Sequence, residues 1–314
     1  ALVHVYTDGS VHLNHGGTEM GQGLFTKVAQ VVASTFQIDL DNIKISATRT
    51  DKVPNTSATA ASSGSDLNGM AALNATEIIK TRMGDVAAGH FGVSRDKIEF
   101  RQNRVYAGNE SVAFSELAQM TYDERVSLSA AGYYSTPGLH WDAAKLVGNP
   151  FYYFTYGAAV AEVVIDTLTG ESRVLRADIL QDVGNSLNPA IDLGQIEGAF
   201  VQGQGWLTSE ELVWDKAGRL LTHGPSTYKI PGSRDVPPEF NVHLLEDAPN
   251  RFPTVFHSKA VGEPPLMLAI SVWLAIRDAV SRTAGHRHLV LLDAPATPEA
   301  ILNAVDEIAQ RDGA

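Results

Sequence analysis

The sequence predicts an α+β fold of two topologically similar lobes that face a shared cleft. Two turn signals, Asp8-Gly9 and residues 166–170, each separate two apolar runs rich in β-branched residues, as in β-hairpins. Each predicted hairpin is followed by an amphipathic helix, a short strand and a second helix. The order hairpin, helix, strand, helix therefore occurs twice, and the predicted lobes are residues 1–135 and 136–314.

The first lobe begins with the predicted hairpin and a glycine-rich loop from His15 to Gly23. The predicted elements are strands 3–6 and 11–13, helix 24–36, strand 43–47 and helix 67–79. The glycines of the loop allow a backbone to approach a ligand closely, and Gln22 offers an amide donor and acceptor at the helix start. The glycine spacing matches neither a Walker loop nor a dinucleotide fingerprint, so a simple turn also explains it.

A hydroxyl-rich stretch precedes the second predicted helix of this lobe. Five Ser and Thr side chains lie between Thr56 and Ser63. They are explained either by helix capping with tight packing or by a cradle whose N–H groups bind an anionic ligand. Both interpretations stay open on the residues alone.

A smaller α/β segment is predicted over residues 85–125. Strands 98–100 and 104–106 are expected to pair through Gln102-Asn103, and a short helix is expected over residues 114–120. Residues 136–141 are predicted to form a loop.

The second lobe repeats the order of the first. Its predicted elements are strands 151–164 and 173–179, helix 192–207, strand 240–245, helix 264–283 and a final helix 298–309. Gln195 falls at the position in its first helix that Gln22 occupies in the first lobe.

Glu263 is a single carboxylate at the start of the apolar run 266–276. Pro264 and Pro265 follow it, and proline suits the first positions of a helix. Burial raises the pKa of such a carboxylate and the helix dipole lowers it, so Glu263 is a candidate proton acceptor. The alternative is that Glu263 only caps a buried helix.

Composition excludes several classes of function. The 314 residues carry a net charge of -12 without a basic run, which argues against nucleic acid and anionic membranes as partners. No cysteine is present, which excludes disulfides, thiolate nucleophiles and iron–sulfur clusters on this chain and suits the cytoplasm. The apolar runs are shorter than the roughly 20 residues that span a bilayer.

Common catalytic motifs are also missing. The ten histidines form no HExxH pair or credible metal-ligand set, and Gly-x-Ser-x-Gly does not occur. The chain begins directly with a predicted strand, which we interpret as a piece of a longer chain or a subunit with a partner.

Seven runs resemble the molybdenum-binding part of the xanthine dehydrogenase/xanthine oxidase family. They are GGTEMGQG (16–23), VPNTSATAAS (53–62), DLNG (66–69), SLNPAID (186–192), GQIEGAF (194–200), GPSTYKIP (224–231) and KAVGEPPL (259–266). The resemblance covers nearly the whole chain in collinear order. Aldehyde oxidases of the wider family tend to have Gly-Glu-Ser-Gly where this chain has Gly-Glu-Pro-Pro-Leu, which favours xanthine dehydrogenases.

The resemblance implies a site for a molybdopterin cofactor. Glu263 is similar to the general base of the family. The residues similar to its cofactor contacts are Met20, Gly21, Gln22, Thr59, Ala60, Ala61, Ser62 and Gln195. No protein side chain is expected to ligate the metal, which the pterin dithiolene holds with Gln22 adjacent. Gly64 departs from the family, some of whose members have Ser there.

The resemblance further implies the C-terminal part of a molybdopterin-binding large subunit, active in purine catabolism. We expect oxidation of hypoxanthine to xanthine and of xanthine to urate, with oxygen from water. The N-terminal half of the molybdenum subunit, 2Fe–2S clusters and FAD are expected on other domains or chains, with NAD as acceptor, in a dimer of heterodimers. The alternatives are a sibling hydroxylase for aldehydes or other N-heterocycles, and a non-catalytic molybdopterin-binding scaffold.

Overall fold

A computed structural model describes residues 1–52 and 56–312. Val53, Pro54 and Asn55, which begin one of the resembling runs, lie outside the described residues. Six α-helices occur in the described part of the chain: α1 Leu24–Phe36, α2 Gly64–Phe91, α3 Phe114–Asp123, α4 Pro189–Thr208, α5 Ile270–Arg282 and α6 Pro298–Asp312. Four short 3-10 helices accompany them: Leu40–Asn42, Arg95–Lys97, Val255–His257 and Pro264–Ala269.

Within the described residues, the strands form four separate sheets. In chain order they are β1 Leu2–Val5, β2 Val11–Asn14, β3 Ile43–Ile45, β4 Ile98–Arg101, β5 Arg104–Ala107, β6 Glu110–Ala113, β7 Ser129–Ala131, β8 His140–Asp142, β9 Val147–Asn149, β10 Gly157–Ile165, β11 Ser172–Gln181 and β12 Glu239–Leu244. The sheet orders are β3-β2-β1-β7, β4-β5-β6, β8-β9 and β10-β11-β12. The predicted α+β class is confirmed.

The chain divides into two compact units. The first unit contains residues 1–154, 184–189 and 249–260, and the second contains residues 155–183, 190–248 and 261–314. The first unit thus extends past the predicted division at residue 135 and includes two later segments of the chain. The assignment of the predicted lobes to cofactor binding, and their shared cleft, stay predictions.

The first unit is built on the hairpin of β1 and β2. The turn closes through Gly9, whose φ of 84° lies in the left-handed region that glycine favours. β3 then pairs in parallel with β2, with Val11 opposite Ile43. α1 and α2 pack on this sheet, and their largest fully buried side chains include Phe36 and Ile79.

Helix α2 is longer than the predicted 67–79. Ile79, Met83 and Ala87 are all buried and are spaced four residues apart. They form one buried stripe along the helix, and this stripe stabilises the helix as far as Phe91. The helix ends at Gly92, which adopts a left-handed C-cap conformation.

The second unit has the same order of elements on a different sheet. β10 and β11 pair antiparallel with a bulge at Glu162/Val163, and β12 pairs in parallel with β11. Its core is formed by β11 with α4, α5 and α6, with Phe200 and Ile276 among the fully buried side chains.

Two predictions between the hairpins are wrong. The loop predicted over residues 136–141 includes His140 and Trp141, which instead lie in β8 and pair antiparallel with β9. The strand expected from residue 151 begins only at Gly157, and Phe151 and Phe154 are exposed in loop structure. Aromatic composition therefore overstated the length of that strand.

One helical segment of the described chain, Pro264–Arg282, is long and apolar enough to cross a membrane by length and composition. Core helices pass the same test, so this is weak evidence. The expectation of no membrane partner stays a prediction.

Candidate functional site

The glycine-rich loop joins β2 to α1 and is organised by Glu19. One carboxylate oxygen of Glu19 accepts hydrogen bonds from the backbone N–H groups of Gly21 at 2.9 Å and Gly23 at 3.0 Å. The other oxygen accepts from the N–H of Phe25 at 2.9 Å. These N–H groups at the start of α1 are therefore already satisfied within the loop. Sequence reasoning missed Glu19, although an acidic residue just before a helix is a recognisable capping signal.

The amide of Gln22 closes the same loop from the other side. Its Oε1 accepts from the N–H of Met20 at 2.6 Å, and its Nε2 donates to the carbonyl of Thr18 at 2.9 Å. An amide nitrogen carries two hydrogens, so the bond to Thr18 uses only one of them. The Met20 side chain is exposed, and Gly21 has a φ of 100° with open space around it.

The hydroxyl-rich stretch lies against this loop. The hydroxyl of Thr59 accepts a hydrogen bond from the N–H of Thr18 at 2.9 Å. Ser63 stands at the N-cap of α2, yet its side chain makes no capping hydrogen bond, and its hydroxyl donates to the carbonyl of Ala60 instead. Side-chain capping at Ser63 therefore does not account for the hydroxyls, which favours the cradle interpretation.

A cavity of about 360 Å³ lies where the two loops meet in the first unit. Gly16, Gly17 and Gly64 form part of its wall, and the amide of Asn68 reaches it from α2. Six hydroxyl-bearing side chains also line it, beside the apolar Leu67 and Ala71: Thr56, Ser57, Thr59, Ser63, Tyr133 and Tyr134. The cavity is thus lined by small residues, by hydroxyl and amide groups, and by a few apolar side chains.

In the second unit, Glu263 lies at the N-cap of the 3-10 helix Pro264–Ala269, which leads into α5. The prediction of a helix start at the two prolines is confirmed. The Glu263 side chain makes no capping hydrogen bond to this helix and is exposed within the chain, so the side-chain-cap alternative does not describe it. The prediction that Glu263 lies beside an apolar core is correct for the helix that follows it. The carboxylate itself is exposed within this chain and does not lie in that core.

Gln195 lies on α4, partly exposed, in the same unit as Glu263. Helix α4 packs closely on the 3-10 helix that follows Glu263: a Cβ added at Gly203 would lie 2.5 Å from the carbonyl oxygen of Leu266. Gln195 precedes this contact by two helical turns, or about 12 Å along the helix axis. The second unit therefore brings the helices of Gln195 and Glu263 together.

Comparison with protein families places this chain in a known one. Residues 1–237 match the family described as a molybdopterin cofactor-binding domain. The chain belongs to this family. Among the described residues of this molybdopterin cofactor-binding domain, no group of three or more His, Cys, Asp or Glu side chains has a metal-binding arrangement.

The domain is also similar to parts of much longer proteins. It is 51% identical over 308 residues to a xanthine dehydrogenase of Dictyostelium discoideum, covering 96% of this chain and 21% of that protein. It is 50% identical to the xanthine dehydrogenase/oxidase of Mus musculus, covering 97% of this chain and 22% of that protein. The chain thus spans about a fifth of the length of these relatives.

A solved structure shares the fold. The domain superposes on quinoline 2-oxidoreductase from Pseudomonas putida 86 with a TM-score of 0.84 and 24% identity, covering 98% of this chain and 38% of that one. At this identity the likeness concerns the fold alone.

The first unit fits a pterin-type group by its chemistry and its backbone. Ala61 and Ser62 both have a φ of 55°, which is unusual for residues with a side chain and is typical of ligand-binding loops. Hydroxyl and amide groups around the cavity are the partners that ring nitrogens and oxygens require. At Gly64, where the sequence departs from the expected pattern, an added Cβ would lie 3.3 Å from Leu24 Cδ2, a close contact at the wall of the cavity.

Proposed function

We propose that this domain is the part of a molybdenum hydroxylase that binds the pterin cofactor and supplies its catalytic carboxylate. The observation that carries the proposal is the identity of about 50% over nearly the whole chain to xanthine dehydrogenases. The fold is shared by enzymes with different substrates, so the fold alone does not select one.

In this proposal Glu263 is the general base. It lies at a helix start and is exposed within this chain, and its side chain does not cap its own helix; an exposed carboxylate of this kind has the basicity that the role requires. The bound molybdenum cofactor would supply the two-electron redox chemistry. We assign the pterin to the loops of Met20, Gly21 and Gln22 and of Thr59, Ala60, Ala61 and Ser62, with a further contact from Gln195.

The proposed reaction is oxidation of hypoxanthine to xanthine and of xanthine to urate, with oxygen derived from water. Electrons would pass to 2Fe–2S clusters, FAD and finally NAD, all carried outside this chain. The N-terminal half of the molybdenum subunit would complete the purine site. The cytoplasmic location and the dimer of heterodimers stay predictions.

The first test is elemental analysis of the complete enzyme, with xanthine-dependent NAD reduction measured on the same sample. Molybdenum near one per chain together with xanthine turnover is the expected result. Molybdenum with turnover of aldehydes or other N-heterocycles, and none of purines, would replace the substrate class by that of a sibling hydroxylase. A complete enzyme that retains FAD and iron but never molybdenum would contradict the proposal.

The second test is Glu263→Gln, which keeps the shape of the side chain and removes its basicity. We expect molybdenum content to be unchanged and turnover to fall by more than the roughly 10²–10⁴-fold that a general base contributes. Glu246→Gln, at an exposed glutamate of the same unit, is the matched control and should leave turnover intact. Turnover of Glu263→Gln within tenfold of wild type would refute the assigned role.

A further inference from the structure

A part-buried chain of hydrogen bonds in the first unit ends three residues before Glu263. The hydroxyl of Tyr153 donates to Asp66 Oδ2 at 2.6 Å. The same hydroxyl accepts the backbone N–H of Ala260 at 2.7 Å. Tyr153 therefore joins a carboxylate in the first turn of α2 to the backbone of Ala260.

The surroundings make this chain of bonds strong. Burial raises the pKa of Asp66 to about 6, against the opposing effects of the Tyr153 hydroxyl and of Lys27 on α1. Burial, followed by the charge of Asp66, also raises the pKa of Tyr153, which keeps its hydroxyl protonated as a donor. The charge of Asp66 also acts on Tyr134 and contributes to raising the pKa of that hydroxyl, after the larger effects of burial and of Tyr152. A short hydrogen bond from a phenol to a part-buried carboxylate belongs to the strong, charge-assisted class.

Both ends of the chain adjoin parts of the proposed site. Asp66 follows Ser63, the last residue of the hydroxyl-rich stretch, by three residues. Ala260 is the last residue of the first unit before the chain enters the second, and Glu263 follows it. A second tie lies one residue earlier, where Lys259 Nζ donates to the carbonyl of Phe154 at 3.1 Å. Three residues span at most about 11 Å of extended backbone, so an anchor at Ala260 limits where Glu263 can lie.

We propose that Asp66 and Tyr153 are positioning residues for Glu263. They hold the backbone from which the Glu263 segment departs, and they connect it to the helix that begins at the hydroxyl-rich stretch. The inference rests on the proposed role of Glu263 as base. A general base displaced by about 1 Å can lose on the order of 10²-fold in rate, so removal of the anchor should be visible in turnover.

The experiment is Tyr153→Phe in the complete enzyme, which deletes one oxygen atom. Tyr228→Phe is the matched control, because Tyr228 donates the same type of bond, at 2.6 Å, to the carboxylate of Glu210. We expect Tyr153→Phe to lower kcat by about 10–100-fold, with KM and molybdenum content unchanged. We also expect faster amide hydrogen exchange at Ala260, which is independent of turnover. The control should change none of these quantities.

Asp66 provides a second variant if Tyr153→Phe does not fold. Asp66→Asn keeps an acceptor oxygen for the phenol, whereas Asp66→Ala removes it. The positioning role requires Asp66→Asn to retain more kcat and slower Ala260 exchange than Asp66→Ala. Equal losses in the two variants would overturn the inference.

Two further results would overturn it. One is unchanged Ala260 exchange in Tyr153→Phe, which would mean that the hydroxyl does not anchor the backbone. The other is faster exchange with unchanged kcat, which would mean that the anchor does not position the base. Failure of the proposed function is detected separately, since it would appear as normal turnover in Glu263→Gln while the exchange result stands.

Discussion

Replacement of Glu19 by glutamine is expected to loosen the glycine-rich loop at the start of α1. The carboxylate accepts three backbone hydrogen bonds, from Gly21, Gly23 and Phe25. Glutamine has one acceptor oxygen. It can still accept the hydrogen bonds of Gly21 and Gly23, but this oxygen is uncharged and the bonds are weaker. Its NH₂ group then faces the N–H of Phe25, and a donor meets a donor.

The change in the free energy of opening the loop follows from these three hydrogen bonds. A hydrogen bond to a charged group contributes about 1.5–3 kcal/mol and a neutral one about 0.5–1.5 kcal/mol, while an unsatisfied donor costs about 1–3 kcal/mol. The negative charge at the helix N-terminus contributes a further 0.3–1 kcal/mol, roughly. Glu19 is only partly buried, so water replaces part of what is lost. We therefore expect local opening of the loop to become easier by about 2 kcal/mol.

Amide hydrogen exchange at Gly23 and Phe25 in the complete enzyme measures this opening. A change of 2 kcal/mol corresponds to exchange about 30-fold faster at pH 7. Glu116→Gln is the control, because Glu116 accepts a single backbone hydrogen bond at the start of α3, from Ala113, and should have a smaller effect on its own helix. Exchange at Phe25 that is unchanged in Glu19→Gln would refute the reasoning.

The pH dependence gives an independent check. Partial burial alone would raise the pKa of Glu19, but the backbone N–H groups, that of Phe25 first, together lower it. A carboxylate whose folded-state pKa is lowered stabilises the fold above its unfolded pKa, near 4.3 for glutamate, and the stabilisation disappears as the pH falls through the folded-state pKa. The difference between wild type and Glu19→Gln should therefore be complete at pH 7 and vanish in acid. A difference that persists below both pKa values would contradict a charge-based mechanism.

Two further predictions concern packing and protonation. Gly203→Ala should lower the free energy of unfolding by about 1–3 kcal/mol, because its Cβ would lie 2.5 Å from the Leu266 carbonyl oxygen and 2.7 Å from Ala269 Cβ. The control is Gly198→Ala, in open space on the same helix, which should not destabilise the protein. Denaturant titrations measure both variants, and equal effects would contradict this account. Burial lowers the pKa of His15 to about 4, so the unfolded chain binds its proton first and stability should fall between about pH 6.5 and 4 by up to about 3 kcal/mol. His15→Gln should flatten this part of the stability profile, and a slope equal to that of wild type would show that His15 is not responsible.

Elements with a local sequence signal were predicted closely. The spacing of apolar residues in α1 predicts its bounds of Leu24 and Phe36, which the structure has. The pairing of β4 with β5 through Gln102 and Asn103 is also confirmed, because both turn residues adopt the positive φ that such tight hairpin turns require. In these elements, the residues that determine the local structure lie next to one another in the sequence.

The errors arise where neighbouring residues do not decide the outcome. Helix α2 continues past Ile79 because Met83 and Ala87 find buried partners in the first unit, and those partners lie far away in the sequence. The aromatic run from Phe151 has the composition of a strand, but strand pairing begins only at Gly157. Burial and strand pairing depend on tertiary partners. Neither the periodicity of apolar residues nor the composition of a segment identifies those partners.

The residues of the candidate site also fall into those with a local sequence signal and those that depend on distant partners. Glu263 and the loops of Gln22 and Thr59 were identified as candidates because their motifs are contiguous in sequence, and contiguous motifs support a resemblance; their roles stay predictions. The residues that hold those motifs in place were missed when they act over a distance: Tyr153 lies 87 residues from Asp66 and 107 residues from Ala260. Neither residue stands out in the sequence, since a tyrosine in an aromatic run and an aspartate in the first turn of a helix are both ordinary. Chemistry at the proposed site nevertheless requires a base held to within about 1 Å, and local backbone propensity at Gly262 and Glu263 does not supply that precision. Long-range hydrogen bonds such as that of Tyr153 to Ala260 therefore belong to the site as much as the motifs do.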